Sequence, residues 1–418
     1  MDWWRIRGGR RLEGECSVQG SKNAALPVLA ASLLCPGEVE LRRVPRIRDV
    51  EAALQILRHL GCRTAQEGDR VYIDASRLSG SAIPPELMER MRSSVFFLGA
   101  LLARTGEAGI SLPGGCRLGK RPIDLHLAAL RRLGAVIREE GEEIRCLPGP
   151  LKGADIALPF PSVGATENAM LAACAARGET RIRGAAREPE IVALQAFLRC
   201  LGAELSGAGS DSLRVGDFRP RSRVCFRLPP DRIAAATLCC ACAACGGKIL
   251  LTDCDPAHFS TVLHFLNAAG CDIMTRKDRI TLLARRPLRA VGPVVTAPYP
   301  GFPTDAQPLL MAALLRAQGE SLFTETIFEN RYRQVPELRK LGAEILLDGR
   351  QARVRGVKEL HGARLEASDL RGGAAMILGG LSAGGETLVL DPGHIRRGYE
   401  DLDLRLGALG ADLEYKGD

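Results

Sequence analysis

Asp124-Leu-His-Leu-Ala-Ala-Leu-Arg-Arg-Leu-Gly-Ala135 is the stretch of this sequence that decides the fold. Its leucines recur at helical spacing, which predicts an amphipathic helix, and the glycine after the last leucine can adopt the left-handed conformation that ends a helix. Leu-Gly-Ala or a near variant recurs along the whole chain, with its glycine at Gly61, Gly134, Gly202, Gly270, Gly342 and Gly410. Because successive glycines are 68 to 73 residues apart, we infer that the chain contains six copies of one unit.

Each copy also contains a second stretch rich in alanine, leucine and glycine, which predicts an enclosed helix because it is apolar on nearly all sides. These helices are predicted to begin near Ser21, Met91, Val163, Arg232, Thr304 and Leu370. Charged residues stand at several of the starts, namely Lys22, Arg92, Arg232, Asp305 and Arg371. Helix N-termini offer unpaired N–H groups and a positive dipole end, so we expect these starts to bind a phosphorylated or carboxylated ligand.

The composition suits a two-domain α/β protein. A chain of 418 residues with 46% apolar content can bury more than one core, and six copies divide naturally into two groups of three. The net charge of +8 comes mostly from arginine, which binds carboxylate and phosphate through two parallel hydrogen bonds. With only 5 Tyr, 2 Trp and 11 Phe and no basic run, a surface for stacking bases is not indicated, so we expect no nucleic-acid partner.

Cellular location and cofactors follow from the same kind of evidence. Residues 1–7 lack the basic-then-apolar pattern of a secretory signal, and the longest apolar run, residues 24–35, is too short to cross a bilayer. We therefore expect a cytoplasmic protein without membrane contact, and a monomer. Cys239, Cys240, Cys242 and Cys245 form the one dense cysteine group, but they lie among alanines without a second cysteine pair or histidines at zinc-site spacing. We interpret them as core residues and expect neither a metal nor a cofactor.

A glycine-dense loop, Leu112-Pro-Gly-Gly-Cys-Arg-Leu-Gly-Lys-Arg-Pro122, interrupts the repeat. Cys116 is surrounded there by Arg117, Lys120 and Arg121, and neighbouring cations lower the pKa of a thiol toward neutrality. Such a thiol can donate or accept a proton near pH 7. An exposed turn cysteine without a role is the alternative.

Charged residues at two helix starts have two interpretations each. Lys22 is disfavoured at the positive end of a helix, and either a bound anion or simple solvent exposure would account for it. Asp305 either complements the helix dipole or acts as a general base. Asn330 and Asp369 are predicted to cap helices, with Arg331 and Arg371 nearby in sequence.

These motifs together resemble the UDP-N-acetylglucosamine 1-carboxyvinyltransferase family, the bacterial enolpyruvyl transferases of cell-wall synthesis. The resemblance covers the whole chain and is carried by Gly20-Ser-Lys-Asn-Ala-Ala-Leu-Pro27, Met91-Arg-Ser-Ser94, residues 112–126, Ser162-Val-Gly-Ala-Thr166, Ala186-Arg-Glu-Pro-Glu190, Pro303-Thr-Asp305, Glu325-Thr-Ile-Phe-Glu-Asn-Arg331, Asp369-Leu-Arg371 and Arg397-Gly-Tyr-Glu400. It implies a fold of two inside-out α/β barrels, built from six pseudo-symmetric βαβαββ units with three in each domain. One domain would comprise residues 22–229 and the other residues 1–21 and 230–418.

The resemblance implies transfer of the enolpyruvyl group of phosphoenolpyruvate to the 3′-hydroxyl of UDP-N-acetylglucosamine, with release of phosphate by addition and elimination. This reaction is the first committed step of peptidoglycan synthesis. Cys116 would be the acid, able to form an adduct with phosphoenolpyruvate, and Asp305 the base. Lys22, Arg121 and Arg397 would bind the phosphate, and Arg331 and Arg371 the carboxylate. The implied contacts to the UDP-sugar are Asn23, Arg92, Arg121, Pro122, Ile123, Asp124, Leu125, Ser162, Val163, Gly164, Asp305 and Ile327, and Asp369 completes the substrate-binding set.

Few positions depart from the family pattern. Phe160 stands where some members have a lysine for the nucleotide phosphates, which weakens one expected contact. Members with aspartate in place of Cys116 escape the epoxide antibiotic fosfomycin, so this cysteine predicts sensitivity. Two alternatives stay open: the sister enzyme that transfers the same group to shikimate 3-phosphate, and an RNA-binding or RNA-processing protein on a related fold, which only the charge of +8 supports.

Overall fold

The structure is a computed structural model and describes residues 2–112 and 123–417. Contacts between Cα atoms divide these residues into two compact units. We call residues 20–112 and 123–229 the central unit, and residues 2–19 and 230–417 the terminal unit. The predicted site residues Cys116, Arg121 and Pro122 lie outside the described residues.

Helices and strands are numbered along the chain, and β1 (Asp2–Arg7) and β2 (Leu12–Ser17) belong to the terminal unit. The helices of the central unit are α1 (Lys22–Ala31), α2 (Arg48–His59), α3 (Pro85–Met88), α4 (Phe96–Thr105), α5 (Asp124–Arg132), α6 (Val163–Ala173) and α7 (Pro189–Leu201), with 3-10 helices at Ser32–Leu34 and Arg92–Val95. Its strands are β3 (Glu38–Arg42), β4 (Arg63–Glu67), β5 (Arg70–Asp74), β6 (Ala108–Ser111), β7 (Val136–Glu140), β8 (Glu143–Leu147), β9 (Asp155–Ala157), β10 (Thr180–Arg183), β11 (Ala203–Ser206), β12 (Ser212–Phe218) and β13 (Arg223–Arg227).

The rest of the terminal unit follows in the same alternating order. Its helices are α8 (Arg232–Cys245), α9 (Ser260–Ala268), α10 (Gln307–Ala313), α11 (Val335–Lys340), α12 (Leu370–Ser382) and α13 (Leu402–Ala408), with 3-10 helices at Pro256–Phe259, Thr304–Ala306 and Ile395–Arg397. Its strands are β14 (Gly247–Thr252), β15 (Cys271–Arg276), β16 (Arg279–Ala284), β17 (Val294–Val295), β18 (Glu320–Thr324), β19 (Glu344–Asp348), β20 (Gln351–Arg355), β21 (Arg364–Glu366), β22 (Glu386–Asp391) and β23 (Asp412–Lys416).

The described strands form six small sheets, three in each unit, and their strand order repeats. The central sheets are β13-β3-β5-β4, β6-β8-β7 and β11-β12-β10-β9, and the terminal ones are β15-β16-β14-β2, β17-β18-β20-β19 and β21-β22-β1-β23. Five of them join one parallel pair to two antiparallel pairs. In the three-stranded sheet an isolated parallel bridge between Ala82 and Gly109 takes the place of the parallel strand. The sixfold repeat predicted from the sequence is therefore present in the strand pairing.

The glycines that define the repeat have the conformation that was predicted for them. Helices α2, α5, α7, α9, α11 and α13 each end immediately before one of them or one residue earlier. All six glycines have positive φ, from 89° at Gly410 to 106° at Gly202. A residue with a Cβ adopts this conformation only at a cost, which explains why glycine recurs at this point of the pattern.

The second helix of each copy is enclosed, as predicted from its apolar character. Every residue of α8 from Arg232 to Cys245 is buried, and α12 is buried from Arg371 to Ser382. In the terminal unit α8, α10 and α12 pack against one another, and in the central unit α4 packs against both α1 and α6. The predicted starts near Met91 and Thr304 are 3-10 turns that lead into α4 and α10.

Asp369 caps α12, but the predicted cap at Asn330 is wrong. The Asp369 carboxylate accepts hydrogen bonds from the backbone N–H groups of Arg371 and Gly372. Asn330 lies in a turn, and α11 begins only at Val335, with Gln334 as a cap that makes no side-chain hydrogen bond. Residues 329–334 form turns, so the helix starts five residues after Asn330.

The dense cysteine group is part of the core of the terminal unit. Cys239, Cys240, Cys242 and Cys245 are all buried in α8, and burial raises the pKa of each thiol. Among residues 2–112 and 123–417, no helix combines the length and the apolar character that crossing a membrane requires.

Replacing Gly99 with alanine is expected to lower the stability of the central unit. An added Cβ would lie 2.2 Å from the side-chain oxygen of Asn168 and 2.5 Å from its carbonyl oxygen on α6, and overpacking costs about 1–3 kcal/mol. Thermal melting should therefore give a lower Tm. Gly407→Ala in α13 is the matched control, because nothing lies within 4 Å of its Cβ. An unchanged or higher Tm for Gly99→Ala would contradict the close approach of α4 to α6.

Candidate functional site

In the terminal unit, two buried arginines hold the carboxylate of Asp305. Nη2 of Arg331 lies 3.2 Å from Oδ1 of Asp305, and Nη2 of Arg371 lies 3.1 Å from Oδ2. The two arginine side chains are 1% and 3% exposed, whereas the Asp305 side chain is 30% exposed. Two cations so close favour the ionised carboxylate. Asp305 is thus a partly accessible carboxylate that lies against two buried guanidinium groups, a pairing that the sequence analysis did not predict.

The fold fixes Arg331 through the backbone of the same turn that carries Asp305. Nε and Nη2 of Arg331 donate to the carbonyl oxygen of Thr304, at 3.0 and 2.9 Å. Nη1 of Arg331 lies 3.9 Å from Oδ1 of Asp369, the cap of α12. Arg331 therefore joins the 3-10 turn at Thr304–Ala306 to the start of α12.

The guanidinium of Arg371 has one buried N–H group that makes no hydrogen bond to the described residues. Its guanidinium lies over the ring of Tyr399, 5.2 Å from the centroid, and Tyr399 shares a 2.8 Å hydrogen bond with Thr237. Burial alone lowers the pKa of Arg371, but Tyr399, Asp305 and Asp231 together raise it above its ordinary value. Its Nη1 atom is buried and has no hydrogen-bond partner among the described residues. A buried donor of this kind suits an anionic ligand oxygen.

Two further predicted residues lie in this unit. The backbone N–H of Ile327 donates to the buried carboxylate of Glu325 at 2.8 Å. Arg397 ends the 3-10 helix Ile395–Arg397, which packs against α12. Both predicted residues therefore lie on connecting segments that follow strands β18 and β22.

In the central unit, Lys22 is paired inside the protein. Its Nζ lies 2.8 Å from Oδ2 of Asp49, and the two side chains are 11% and 3% exposed. Solvent exposure, one of the two explanations for a lysine at this helix start, is therefore wrong. The carboxylate of Asp49, in the first turn of α2, supplies the negative charge that the position requires.

A buried histidine and asparagine connect the helix starts that the resemblance assigns to the UDP-sugar. Nδ2 of Asn168 lies 3.0 Å from Nδ1 of His126 and donates at 3.0 Å to the carbonyl oxygen of Val95, while its Oδ1 accepts from the N–H of Gly99 at 2.7 Å. Burial, aided by Arg92, lowers the pKa of His126 to about 4, so the ring is neutral near pH 7. The ring packs closely on α6, where a Cβ at Gly164 would lie 2.9 Å from it.

These contacts order three predicted segments around one point of the central unit. Arg92 opens the 3-10 turn before α4, Ile123, Asp124 and Leu125 open α5, and Ser162, Val163 and Gly164 open α6. Ser162 caps α6 by accepting from the N–H of Ala165 at 3.3 Å. Asn23 follows Lys22 in the first turn of α1 and is partly exposed. Phe160, at the position where some family members have lysine, is 45% exposed.

Sequence reasoning missed a buried acidic group next to these helices. Both oxygens of Glu167 in α6 are buried and without a hydrogen-bond partner among the described residues. Burial first, and then the neighbouring Glu190 and Glu188, raise the pKa of Glu167 well above its ordinary value. This environment favours the neutral form of the Glu167 carboxyl group. Glu188 and Glu190 belong to a family motif, whereas Glu167 lies just after one.

Asp49, Asn168 and Glu325 were missed as well, for different reasons. The sequence marks Asp49 only as an acidic residue in the first turn of a helix, a common position for aspartate. Asn168 interrupts an otherwise apolar helix, a sign that could have pointed to a buried hydrogen-bonding role. Glu325 opens a quoted motif and follows a strand, but its partners are distant in sequence or are backbone groups.

Comparisons with known proteins bear on the whole chain. Residues 6–406 match a family model described as EPSP synthase (3-phosphoshikimate 1-carboxyvinyltransferase). The chain is 44% identical to "UDP-N-acetylglucosamine 1-carboxyvinyltransferase 2" of Caldanaerobacter subterraneus subsp. tengcongensis, over 99% of each chain. It is 47% identical to "UDP-N-acetylglucosamine 1-carboxyvinyltransferase 1" of Symbiobacterium thermophilum, over 98% of this chain and 94% of the relative.

Solved structures show the same mixed α/β fold. The crystal structure of the enolpyruvyl transferase NikO from Streptomyces tendae matches with a TM-score of 0.89 and 26% identity, over 99% of each chain. EPSP synthase from Acinetobacter baumannii matches with a TM-score of 0.76 over 100% of each chain, and at 18% identity this likeness concerns the fold alone. Together these matches confirm the predicted family: the chain belongs to the EPSP synthase family of enolpyruvyl transferases and, within it, to the UDP-N-acetylglucosamine 1-carboxyvinyltransferases.

Proposed function

We propose that this chain transfers the enolpyruvyl group of phosphoenolpyruvate to the 3′-hydroxyl of UDP-N-acetylglucosamine, releasing phosphate, as the first committed step of peptidoglycan synthesis. Relatives named for this activity are 44% and 47% identical over nearly the full length. The observation that carries the proposal is the Asp305 carboxylate between Arg331 and Arg371. It unites a proton acceptor with cations that suit the carboxylate of phosphoenolpyruvate.

Asp305 acts as the base: it accepts the proton of the 3′-hydroxyl while the oxygen of that hydroxyl bonds to C2 of phosphoenolpyruvate. The substrate carboxylate engages Arg331 and Arg371, and Nη1 of Arg371, which has no hydrogen-bond partner within residues 2–112 and 123–417, gives it a buried donor. A second anion on these guanidiniums shares their positive charge, which weakens their hold on Asp305 and makes it a better base.

On the acid side, Cys116 protonates the methylene carbon of phosphoenolpyruvate in the addition step. Elimination then removes a proton from the same carbon and expels phosphate, which restores the double bond in the product. Lys22, Arg121 and Arg397 bind that phosphate group. Lys22 is already fixed by Asp49 at 2.8 Å, so little side-chain entropy is lost when it binds.

The UDP-sugar is held by the helix starts of the central unit. Asn23, Arg92, residues 121–125 and residues 162–164 contact it, together with Asp305 and Ile327, and Asp369 also belongs to the substrate-binding residues. The neutral His126 and Asn168 support the arrangement, because they fix the starts of α4, α5 and α6 relative to one another. We further propose that residues 22–229 and residues 1–21 with 230–418 each form an inside-out α/β barrel of three units, an arrangement supported by the three sheets in each unit.

The acceptor is tested by measuring phosphate release from phosphoenolpyruvate. We expect turnover with UDP-N-acetylglucosamine and none with shikimate 3-phosphate, the acceptor of the sister enzyme. RNA added in place of the sugar should release no phosphate. Turnover with shikimate 3-phosphate instead of the UDP-sugar would overturn the proposed function.

Asp305→Asn is expected to lower kcat by about 10²–10⁴-fold, the usual contribution of a general base. Binding of UDP-N-acetylglucosamine, followed by calorimetric titration, should weaken much less than kcat falls, because the amide keeps the shape of the side chain and changes only one of several contacts to the sugar. Asp272→Asn is the control, since that carboxylate is 62% exposed on β15. A kcat within a few-fold of the wild-type value would rule out Asp305 as the base.

Fosfomycin is expected to modify Cys116 when UDP-N-acetylglucosamine is present. Mass spectrometry should find the adduct on the Cys116 peptide, and Cys116→Asp should stay active while losing sensitivity to the antibiotic. Cys225→Ser is the matched control, because Cys225 is the exposed cysteine among the described residues and its replacement should leave sensitivity intact. Absence of an adduct on the Cys116 peptide would refute a reactive thiol at this position.

A further inference from the structure

Glu325 is a buried acid that the proposed chemistry does not use. It directly follows β18 and is 1% exposed. Its Oε1 accepts from the backbone N–H groups of Ile327 and Phe328, at 2.8 and 3.0 Å. Its Oε2 accepts from the hydroxyl of Thr304 at 3.0 Å. One carboxylate thus bonds to two segments that are about twenty residues apart in the chain.

Thr304 is held from its other side by Arg331. Its carbonyl oxygen accepts from Nε and Nη2 of Arg331, and the same Nη2 reaches Oδ1 of Asp305 at 3.2 Å. The hydroxyl of Thr304 therefore faces Glu325 while its carbonyl faces Arg331. The 3-10 turn that carries Asp305 is fixed at both of these groups.

The segment that follows β18 has other anchors that do not involve the Glu325 side chain. The N–H of Glu325 donates to the carbonyl of Arg350 at 2.9 Å. The N–H of Thr326 donates to the Thr296 hydroxyl at 2.8 Å, and the Thr326 hydroxyl donates to the Thr296 carbonyl at 2.5 Å. These bonds attach the segment to Thr296, which follows β17, and to Arg350, which precedes β20. The Glu325 carboxylate adds the link to Thr304.

Burying a carboxyl group is costly unless its oxygens are well bonded. Other hydrogen bonds already hold the segment that follows β18, so holding that segment does not by itself explain why Glu325 is buried there. We propose that Glu325 is a positioning residue, which sets the Asp305 turn relative to the Ile327 segment without touching substrate. This inference rests on the proposed function, in which Asp305 removes the acceptor proton and Ile327 contacts the UDP-sugar. A base displaced by even 1 Å can lose much of its effect.

Thr304→Val tests the link with little change of volume, because it removes the only hydroxyl that Glu325 accepts from among the described residues. We expect kcat to fall about tenfold while the KM for phosphoenolpyruvate stays within about twofold. Thr304→Ser, which keeps the hydroxyl, should restore kcat. Glu325→Ala should lower kcat at least as much, and adding Thr304→Val to it should cause little further loss, because both changes remove the same link.

Thr326→Val is the matched control, because it removes a hydrogen bond of the same segment that does not reach Thr304. It should lower the Tm while kcat stays near the wild-type value. A wild-type kcat for Thr304→Val, or equal losses of kcat in Thr304→Val and Thr326→Val, would overturn the positioning role. A wild-type chain without turnover of UDP-N-acetylglucosamine would instead overturn the proposed function, and the inference would fall with it.

Discussion

Buried positive charge has to be paired, and this constraint shapes the candidate site in the terminal unit. Arg331 and Arg371 are almost fully buried, and removing one partner of such a pair typically costs about 3–5 kcal/mol. Asp305 bonds to both guanidiniums, and Asp369 lies near Arg331 while capping α12. The positions of two helix starts and of the segment after β18 are therefore coupled through a few charges.

The central unit meets the same constraint in another way. Lys22 at the start of α1 is paired with Asp49 from α2, and His126 avoids charge altogether because burial keeps it neutral near pH 7. Asn168 then satisfies the imidazole and two backbone groups at once. Polar groups in an apolar helix bundle are tolerable only when bonded, so these contacts give the helix starts one defined arrangement.

The repeated unit sets the positions of the helices, and the residues that differ between its copies supply the groups for chemistry. Each described sheet is followed or preceded by one amphipathic helix ending at a left-handed glycine and one enclosed helix. The enclosed helices begin differently: α1 has a serine cap followed by Lys22, whereas α8 and α12 have the aspartate caps Asp231 and Asp369. Because the repeated units share one backbone arrangement, the side chains at these helix starts decide whether a start contacts a ligand or has only a structural role.

The sequence by itself determined the repeat, the glycine ends of the outer helices and the enclosed character of the inner ones, because periodicity and glycine conformation are local properties. It also placed charged residues, such as Asp305 and Arg371, at the starts of helices whose apolar character indicates burial. Only the tertiary structure decided that Lys22 pairs with Asp49, that Asn168 of α6 bonds to α4 and α5, and that Glu325 reaches Thr304. Those contacts join segments that are far apart in the chain, and a hydrogen bond across such a distance leaves no periodic trace in the sequence.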